Sequence, residues 1–309
     1  MTASDARLAG VVPILVTPFA PDGAIDVSDL RAELDFLVDA GVGWVGIGYG
    51  SEVNKLDAME VAELVSTTVE LAGGRLKVLG NADLPSTRGG IAAVRRAMDS
   101  GADAVMVRPS GLAGVPQSEI AAAFVTVARE TGAPLVIQDA PQNTGVELSS
   151  ATLVSIARRA PTVVALKIEP PAPAPKMTEI RELAGADGIT LMGGLGGAGF
   201  VQELSRGSAG TMPGPAFPEI FRGVQEAFVA GRRAEATRLL WRVAPFTILG
   251  SRDMESFLFI QKYLLRRRGV LTSTTLRSPH RFIDSGLQQE IDDLLVDLDT
   301  FALLAQAVS

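Results

Sequence analysis

The stretch Thr162-Val163-Val164-Ala165-Leu166-Lys167 is an apolar run that ends in a lysine. Its β-branched residues and its lack of polar alternation predict a parallel strand that is covered on both faces. Burial of an unpaired ammonium group costs free energy, so a lysine in such a run needs an explanation. Either the strand ends there and Lys167 reaches solvent, or Lys167 is a buried amine that can form a Schiff base with a carbonyl compound.

Seven other short apolar runs repeat this pattern along the chain. They cover residues 11–16, 44–47, 77–79, 104–107, 135–137, 189–192 and 209–212. Most starts lie roughly thirty residues apart, which is about the length of one strand-helix unit. Amphipathic helical patterns fill the intervals, as where Leu30, Leu34 and Leu37 share one face ahead of a capping Gly41. The series predicts a (β/α)8 barrel, and an open doubly wound sheet is the alternative.

The last part of the chain is helical without further strands. Phe257, Ile260 and Leu264 repeat at helical spacing, for example, and no linker rich in proline or serine precedes them. We therefore expect residues 1–218 to form the barrel core. Residues 219–309 should add the last barrel helix and a C-terminal helical extension within the same structural unit.

Composition excludes several classes of function. The chain has 309 residues, a net charge of -7, no cysteine and a single histidine, His280. Thiolate chemistry, a histidine-based triad and a multi-histidine metal site are therefore excluded, and nucleic acid is not an expected partner. No apolar stretch approaches the ~20 residues of a membrane helix, and no signal core follows the N-terminus. We expect a cytoplasmic protein without a membrane partner.

The ends of the predicted strands carry a set of polar residues. Barrel enzymes place their chemistry at the C-terminal ends of strands. The candidates there are Tyr49, Gly50, Ser51, Arg108, Gln138, Asp139, Lys167, Glu169, Gly193, Gly194 and Met212. One lysine, one arginine, one phenol and several amides and carboxylates suit a small anionic carbonyl compound.

The charged candidates each allow two interpretations. Arg108 could bind a substrate carboxylate, or it could pair with Asp139 or Glu169 as a structural bridge. Glu169 lies two residues past Lys167 and should point the same way, so it could act as a base or form an ion pair at the rim. Glu52 starts a helical stretch, where stabilisation by the helix dipole competes with acid–base work.

Two further features are open in the same way. Tyr49 lies between glycines, and its phenol could move protons or simply pack. The glycine-rich residues 193–199 could cradle a phosphate at a helix N-terminus or form a tight turn. Their spacing matches neither a dinucleotide fingerprint nor a Walker sequence.

Several motifs, in this order, resemble the dihydrodipicolinate synthase / N-acetylneuraminate lyase family of class I aldolases and related lyases. The motifs are Pro13-Ile14-Leu15-Val16-Thr17-Pro18-Phe19, Gly48-Tyr49-Gly50-Ser51-Glu52, Gln138-Asp139-Ala140-Pro141-Gln142-Asn143-Thr144-Gly145, and Val164-Ala165-Leu166-Lys167. The resemblance spans nearly the whole chain. It implies a Schiff base between Lys167 and a pyruvate-like 2-keto acid, and assembly as a homodimer or homotetramer. We expect no cofactor and no metal.

The departures from the family pattern bear on the reaction. The family's relay tyrosine is replaced by Gln138, its paired threonines by Tyr49 and Gly50, and the arginine that holds the second substrate by Asn143. Synthase activity itself is therefore not expected. Tyr49 could present its phenol in the space vacated at Gln138, so that the proton relay has moved.

Two functions follow from this pattern. The first is an aldolase or dehydratase that works through a Lys167 imine on a 2-keto acid, with Gln138 and Tyr49 assisting and Asn143 among the substrate contacts. The alternative is a catalytically impaired barrel that binds a small carboxylate as a sensor or accessory protein. Metal-dependent aldol chemistry at Glu52, Asp139 and Glu169 is the weakest option, because no histidine is near.

Overall fold

The computed structural model describes residues 8–297 of the chain. Within these residues eight parallel strands form one sheet. They are β1 (Gly10–Val11), β2 (Trp44–Gly46), β3 (Lys77–Leu84), β4 (Ala104–Pro109), β5 (Leu135–Asp139), β6 (Val163–Ile168), β7 (Leu191–Gly193) and β8 (Gly210–Thr211). Each predicted run overlaps one of these strands, so the predicted order is confirmed.

The sheet closes on itself. β1 pairs with β8, and the segment after β1 meets β2 through a parallel bridge between Ile14 and Gly46. Gly46 N donates to Pro13 O at 2.8 Å, and Leu15 N donates to Gly46 O at 2.9 Å. Because this contact removes the two edges that an open sheet would have, the barrel prediction is confirmed and the doubly wound alternative is wrong.

β1 is shorter than the predicted run of residues 11–16. Pro213, just after β8, has no backbone N–H to donate to the facing segment, so the regular ladder between β1 and β8 stops at Val11 and Thr211. The chain nevertheless stays in place, since Val12 N and Ile14 N donate to Thr211 O and Pro213 O.

Helices surround the barrel and extend it at the C-terminal end. They are α1 (Val27–Asp39), α2 (Ala58–Ala72), α3 (Thr87–Asp99), α4 (Gln117–Thr131), α5 (Pro141–Thr144), α6 (Ser150–Arg159), α7 (Pro173–Ala184), α8 (Phe200–Ser205), α9 (Pro218–Val229), α10 (Arg233–Gly250), α11 (Met254–Arg267) and α12 (Ser285–Asp297). Local signals set their ends. The Asp26 side chain caps α1 by accepting from Ser28 N and Asp29 N, and Asp57 forms a capping box with Glu60 ahead of α2.

The core has two layers, as a barrel requires. Small and long apolar side chains fill the interior: Val12, Ile14, Leu79, Ala104, Met106, Val136, Ala165, Met192 and Met212. The opposite face of each strand packs against the helices, as where Phe124 of α4 meets Val105 and Val107 of β4. No helix within the described residues is both long and apolar enough to cross a membrane.

Candidate active site

The C-terminal ends of the strands meet at one rim of the barrel. The register pairs Asp83 of β3 with Arg108 of β4, and Gln138 of β5 with Lys167 of β6. Arg108, Gln138 and Lys167 each come two positions after a residue that lines the barrel interior. Those interior residues are Met106, Val136 and Ala165. Because side chains two residues apart share a face of a strand, Arg108, Gln138 and Lys167 point into the mouth of the barrel.

Lys167 is buried in this mouth. Its exposed fraction is 4%, so the interpretation in which it reaches solvent is wrong. Its Nζ lies 3.1 Å from Glu169 Oε2. A buried lysine with one adjacent carboxylate is placed to exchange a proton with it and to act as a nucleophile.

Three donors hold the Glu169 carboxylate. Oε2 accepts a hydrogen bond from Gln138 Nε2 at 2.7 Å and faces the lysine, while Oε1 accepts from Leu195 N at 2.9 Å. Glu169 thus pairs with Lys167 and not with Arg108. Gln138 Oε1 is buried, and no hydrogen-bond partner among the described residues reaches it. Gln138 therefore orients the carboxylate with its amide nitrogen and keeps its oxygen available.

Arg108 forms a second buried cation at the rim. It is 1% exposed, and its Nε lies 2.7 Å from Asp83 Oδ1, although the N–H is not aligned for a hydrogen bond. The predicted pairing with Asp139 or Glu169 is wrong, because the register brings Asp83 directly beside Arg108. The guanidinium carbon lies 3.9 Å from the centroid of the Tyr49 ring. Its Nη1 is buried and has no hydrogen-bond partner within the described part of the chain.

The loop after β2 is held by the serine predicted to bind substrate. Ser51 Oγ donates to Leu15 O at 2.6 Å and accepts from Gly48 N, and the Ser51 carbonyl accepts from Thr17 Oγ1. A Cβ on Gly50 would lie 3.0 Å from Ile14 Cγ2, which favours glycine there. The Ser51 hydroxyl is thus occupied, and substrate contacts of Gly50 and Ser51 stay predictions.

Glu52 connects this loop to the C-terminal helices. Its Oε1 lies 2.6 Å from Lys262 Nζ, and its Oε2 accepts from Arg277 N at 2.9 Å. Lys262 and Glu52 are both fully buried, and burial lowers the pKa of Lys262. Glu52 is therefore a structural anchor between the barrel and α11, a role that neither interpretation of the sequence included.

Asp139 faces the helices and not the mouth. Its Oδ1 accepts from Leu148 N at 2.9 Å, and its Oδ2 lies 2.8 Å from Lys176 Nζ. Burial raises the pKa of Asp139 against the opposing effect of Lys176. Asn143 is half-buried on α5, and Met212 packs in the barrel interior. Contacts of these three residues with a substrate stay predictions.

The glycine-rich residues 193–199 enclose two carboxylates of the chain itself. A Cβ on Gly194 would lie 2.0 Å from Glu169 Oε1, and a Cβ on Gly193 would lie 1.8 Å from Glu203 Oε2. Leu195 turns the chain with a positive φ of 49°. A phosphate here would meet negative charge from Glu169, so the tight-turn interpretation is the better one.

Glu203 is a buried residue of this site that is not among the candidates predicted from the sequence. It is fully buried on α8, and neither carboxyl oxygen has a hydrogen-bond partner among the described residues. Burial, together with the charge of Glu169, raises its pKa to about 8. A signal was present, because Glu203 shares the apolar face of α8 with Phe200 and Leu204.

Comparison with known proteins shows the family of the chain. The chain belongs to the Dihydrodipicolinate synthetase family, whose model matches residues 7–298. Members of that family are class I lyases, aldolases and dehydratases, and the chain is accordingly an enzyme of that lyase group.

Two relatives and one solved structure illustrate the match. The chain is similar to L-2-keto-3-deoxyarabonate dehydratase of Azospirillum brasilense, with 28% identity over 306 residues and 98% of each chain covered. It is 29% identical over 301 residues to 4-hydroxy-tetrahydrodipicolinate synthase of Brucella abortus, covering 92% of this chain and 96% of the relative. Dihydrodipicolinate synthase from Rhodopseudomonas palustris superposes with a TM-score of 0.86 at 27% identity, over 94% of this chain and 97% of the other.

Proposed function

We propose that this enzyme acts on a 2-keto acid through an imine on Lys167, and that dehydration is its reaction. The observation that supports this most directly is the buried Lys167 amine 3.1 Å from the Glu169 carboxylate at the mouth of the barrel. A protonated imine at C2 acts as an electron sink for the loss of a proton from C3.

Glu169 is the proton carrier in this scheme. It takes a proton from the Lys167 ammonium group, and the free amine then adds to the C2 carbonyl. Glu169 returns that proton to the C2 oxygen, and a second proton passes from the added nitrogen to the same oxygen through Glu169. The oxygen then leaves as water, and the protonated imine remains. Its Oε2 faces the lysine directly, which is the position that such a transfer needs.

Gln138 assists without exchanging protons. Its amide nitrogen holds Glu169 in place, while its buried Oε1 can accept a hydrogen bond from the carbinolamine hydroxyl. A glutamine here orients the base, which is a different task from that of the ionisable tyrosine in the family pattern.

Arg108 is the proposed carboxylate anchor. Its buried Nη1 has no hydrogen-bond partner among residues 8–297, and its side chain enters the same mouth as Lys167. Asp83 and the Tyr49 ring hold the guanidinium from two sides, so an incoming carboxylate meets a fixed donor. Arg108 is favoured over Ser51 because the Ser51 hydroxyl already bonds to Leu15 O.

Dehydration is favoured over aldol condensation by two points. The similarity to a 2-keto-3-deoxy acid dehydratase covers 98% of the chain, and Asn143 stands where the synthase pattern requires an arginine for a second substrate. In dehydration, Glu169 would remove a proton from C3 of the imine and return it to the C4 hydroxyl, which leaves as water.

Borohydride trapping tests the proposal. The protein is incubated with pyruvate or with longer 2-keto acids, reduced, and analysed by intact mass and peptide mapping. A single adduct on Lys167 that is lost in Lys167→Arg is expected. Lys176 serves as an internal control, because it is also buried but is paired with Asp139 and Glu147. Absence of any adduct from the folded protein would favour the alternative, a barrel that only binds a small carboxylate.

A further inference from the structure

Glu203 is a buried carboxyl near the mouth to which the reaction scheme gives no task. Gly193 lies against Glu203 and Gly194 against Glu169, at the end of β7. Successive residues of an extended chain point to opposite sides, so the two carboxyls lie on either side of this thin glycine segment. Any side chain at Gly193 or Gly194 would collide with one of them.

Among the described residues, the surroundings of Glu203 supply one negative charge and no hydrogen-bond partner for its carboxyl group. From the turn after β6 comes Glu169, the charged group whose field acts on it. The helices α9 and α10 pack against α8 and share one apolar cluster with it, in which the Phe221 ring lies near that of Phe200. From α7 comes Arg181, which bonds to Arg206 O and Gly207 O past the end of α8.

The buried charges of Lys167, Glu169 and Glu203 balance only if one of the two carboxyl groups is neutral. Lys167 is the cation that pairs with Glu169, and Glu203 has no cation of its own among the described residues. If both carboxyls were ionised, one buried negative charge would be uncompensated, and such a charge is costly. A neutral Glu203 leaves Glu169 and Lys167 as a balanced pair.

We propose that Glu203 is a positioning residue that remains a neutral acid behind the glycine segment, and that its ionisation switches off the Lys167–Glu169 pair. An ionised Glu203 adds a second negative charge, which holds the proton on Lys167 and so withdraws the nucleophile. The inference rests on the proposed imine function for its catalytic consequence. The burial that raises the pKa of Glu203 to about 8 places the switch in the mildly alkaline range.

Nuclear magnetic resonance can detect the switch without a substrate. The sequence has five lysines, so labelling their Cε carbons gives few signals, and Lys167→Arg assigns the relevant one. In the wild type, the Lys167 signal should show a titration step near pH 8, the value to which burial raises the pKa of Glu203. Glu203→Gln has the shape of the neutral acid and should lack this step.

Glu33→Gln is the matched control. Glu33 is also fully buried, and burial raises its pKa to about 8, but its neighbours are Val16 N and Lys262. The control should keep the step at Lys167. A step that persists unchanged in Glu203→Gln, or a wild type without any step, would overturn the proposal.

A second measurement uses protein that keeps Glu203, in case the Glu203→Gln variant does not fold. In Glu33→Gln protein labelled with ¹³C-glutamate, the infrared carbonyl band of a protonated glutamic acid should be present at pH 6 and lost near pH 8, following the raised pKa of Glu203. Absence of that band at pH 6 would also overturn the proposal.

Pyruvate trapping then measures the catalytic effect. The ratio of the trapping rate in Glu203→Gln to that in the wild type should rise about tenfold from pH 7 to pH 9.5, while the Glu33→Gln ratio stays constant. If the ratio of trapping rates for Glu203→Gln and the wild type stays constant over this pH range, the proposed switch is wrong. If no variant traps pyruvate, the imine function fails, and the resonance titration still decides the state of Glu203.

Discussion

At the scale of single residues, the mouth of the barrel is organised around the Glu169 carboxylate. Its two oxygens contact three different elements: Lys167 on β6, Gln138 on β5 and the Leu195 amide after β7. A carboxylate held in this way has little freedom to turn from the lysine. Small changes at these positions should therefore alter the reaction more than the stability of the fold.

Replacing Glu169 by glutamine should slow imine trapping on Lys167 by about a hundredfold, because an amide cannot take the ammonium proton. The similar shape should leave the thermal midpoint nearly unchanged. Rates of borohydride trapping with pyruvate measure the effect. Glu147→Gln is the control, since Glu147 is an exposed partner of the other buried lysine, Lys176. A trapping rate equal to wild type would remove Glu169 from the scheme.

The displaced proton relay predicts a second result. Tyr49→Phe keeps an aromatic ring over Arg108 and removes only the phenol oxygen. If the phenol transfers a proton, the turnover rate should fall about a hundredfold for a keto acid that is known to form the Lys167 imine, while the stability of the fold stays the same. Turnover that is unchanged would mean that Tyr49 serves to pack against Arg108.

At the scale of elements, the segment after β7 is built to be thin. Gly193 and Gly194 lack side chains at the two points where Glu203 and Glu169 approach the backbone, and Leu195 then turns the chain so that its N–H reaches Glu169. This loop joins the barrel rim to α8. It therefore couples the placement of a helix to the placement of the proposed base.

Gly194→Ala should displace Glu169, because the added Cβ would lie 2.0 Å from its Oε1. We expect trapping on Lys167 to fall about tenfold or more, and overpacking of this kind to cost about 1–3 kcal/mol of unfolding free energy. Gly43→Ala is the control, since a Cβ there would meet no atom of the described part of the chain within 4 Å. Normal trapping in Gly194→Ala would show that the position of Glu169 is not critical.

At the scale of the whole molecule, the barrel mouth is tied to the C-terminal helices by buried charge. Glu52 pairs with Lys262 of α11, and Lys55 pairs with Glu255 of the same helix. Nearby, Glu33 of α1 accepts from Val16 N at 3.0 Å. Assembly of the folded chain as a homodimer or homotetramer stays a prediction, which light scattering can check.

The buried acids predict how stability varies with pH. Burial raises the pKa of Glu33 from 4.5 to about 8, so between these values the folded chain holds a proton that the unfolded chain releases. Stability should therefore fall as pH rises through this window, by at most about 1.4 kcal/mol per pH unit for this group. Urea unfolding at several pH values should show a flatter dependence in Glu33→Gln. An equal slope in both proteins would mean that Glu33 is ionised in the fold.

Much of the fold was predictable because it rests on local patterns. Each apolar run became a strand, and helix ends followed nearby signals such as the Asp57 capping box. Lys167 could be singled out for the same reason, since a lysine at the end of a six-residue apolar run is unusual and can be recognised from that run alone. The partners of Arg108 and Glu52 were not predictable, because they depend on register and on contacts over long stretches of chain.

The sequence by itself determined the kind and order of the elements, the lysine at the end of the sixth strand and the likeness to a lyase family. Tertiary structure alone decided which charges meet: Arg108 with Asp83, Glu52 with Lys262, and Glu203 behind Glu169. The physical reason is that periodicity and propensity act between neighbours in the chain. The proton affinity of a buried group, in contrast, depends on burial and on charges that only the closed barrel brings together.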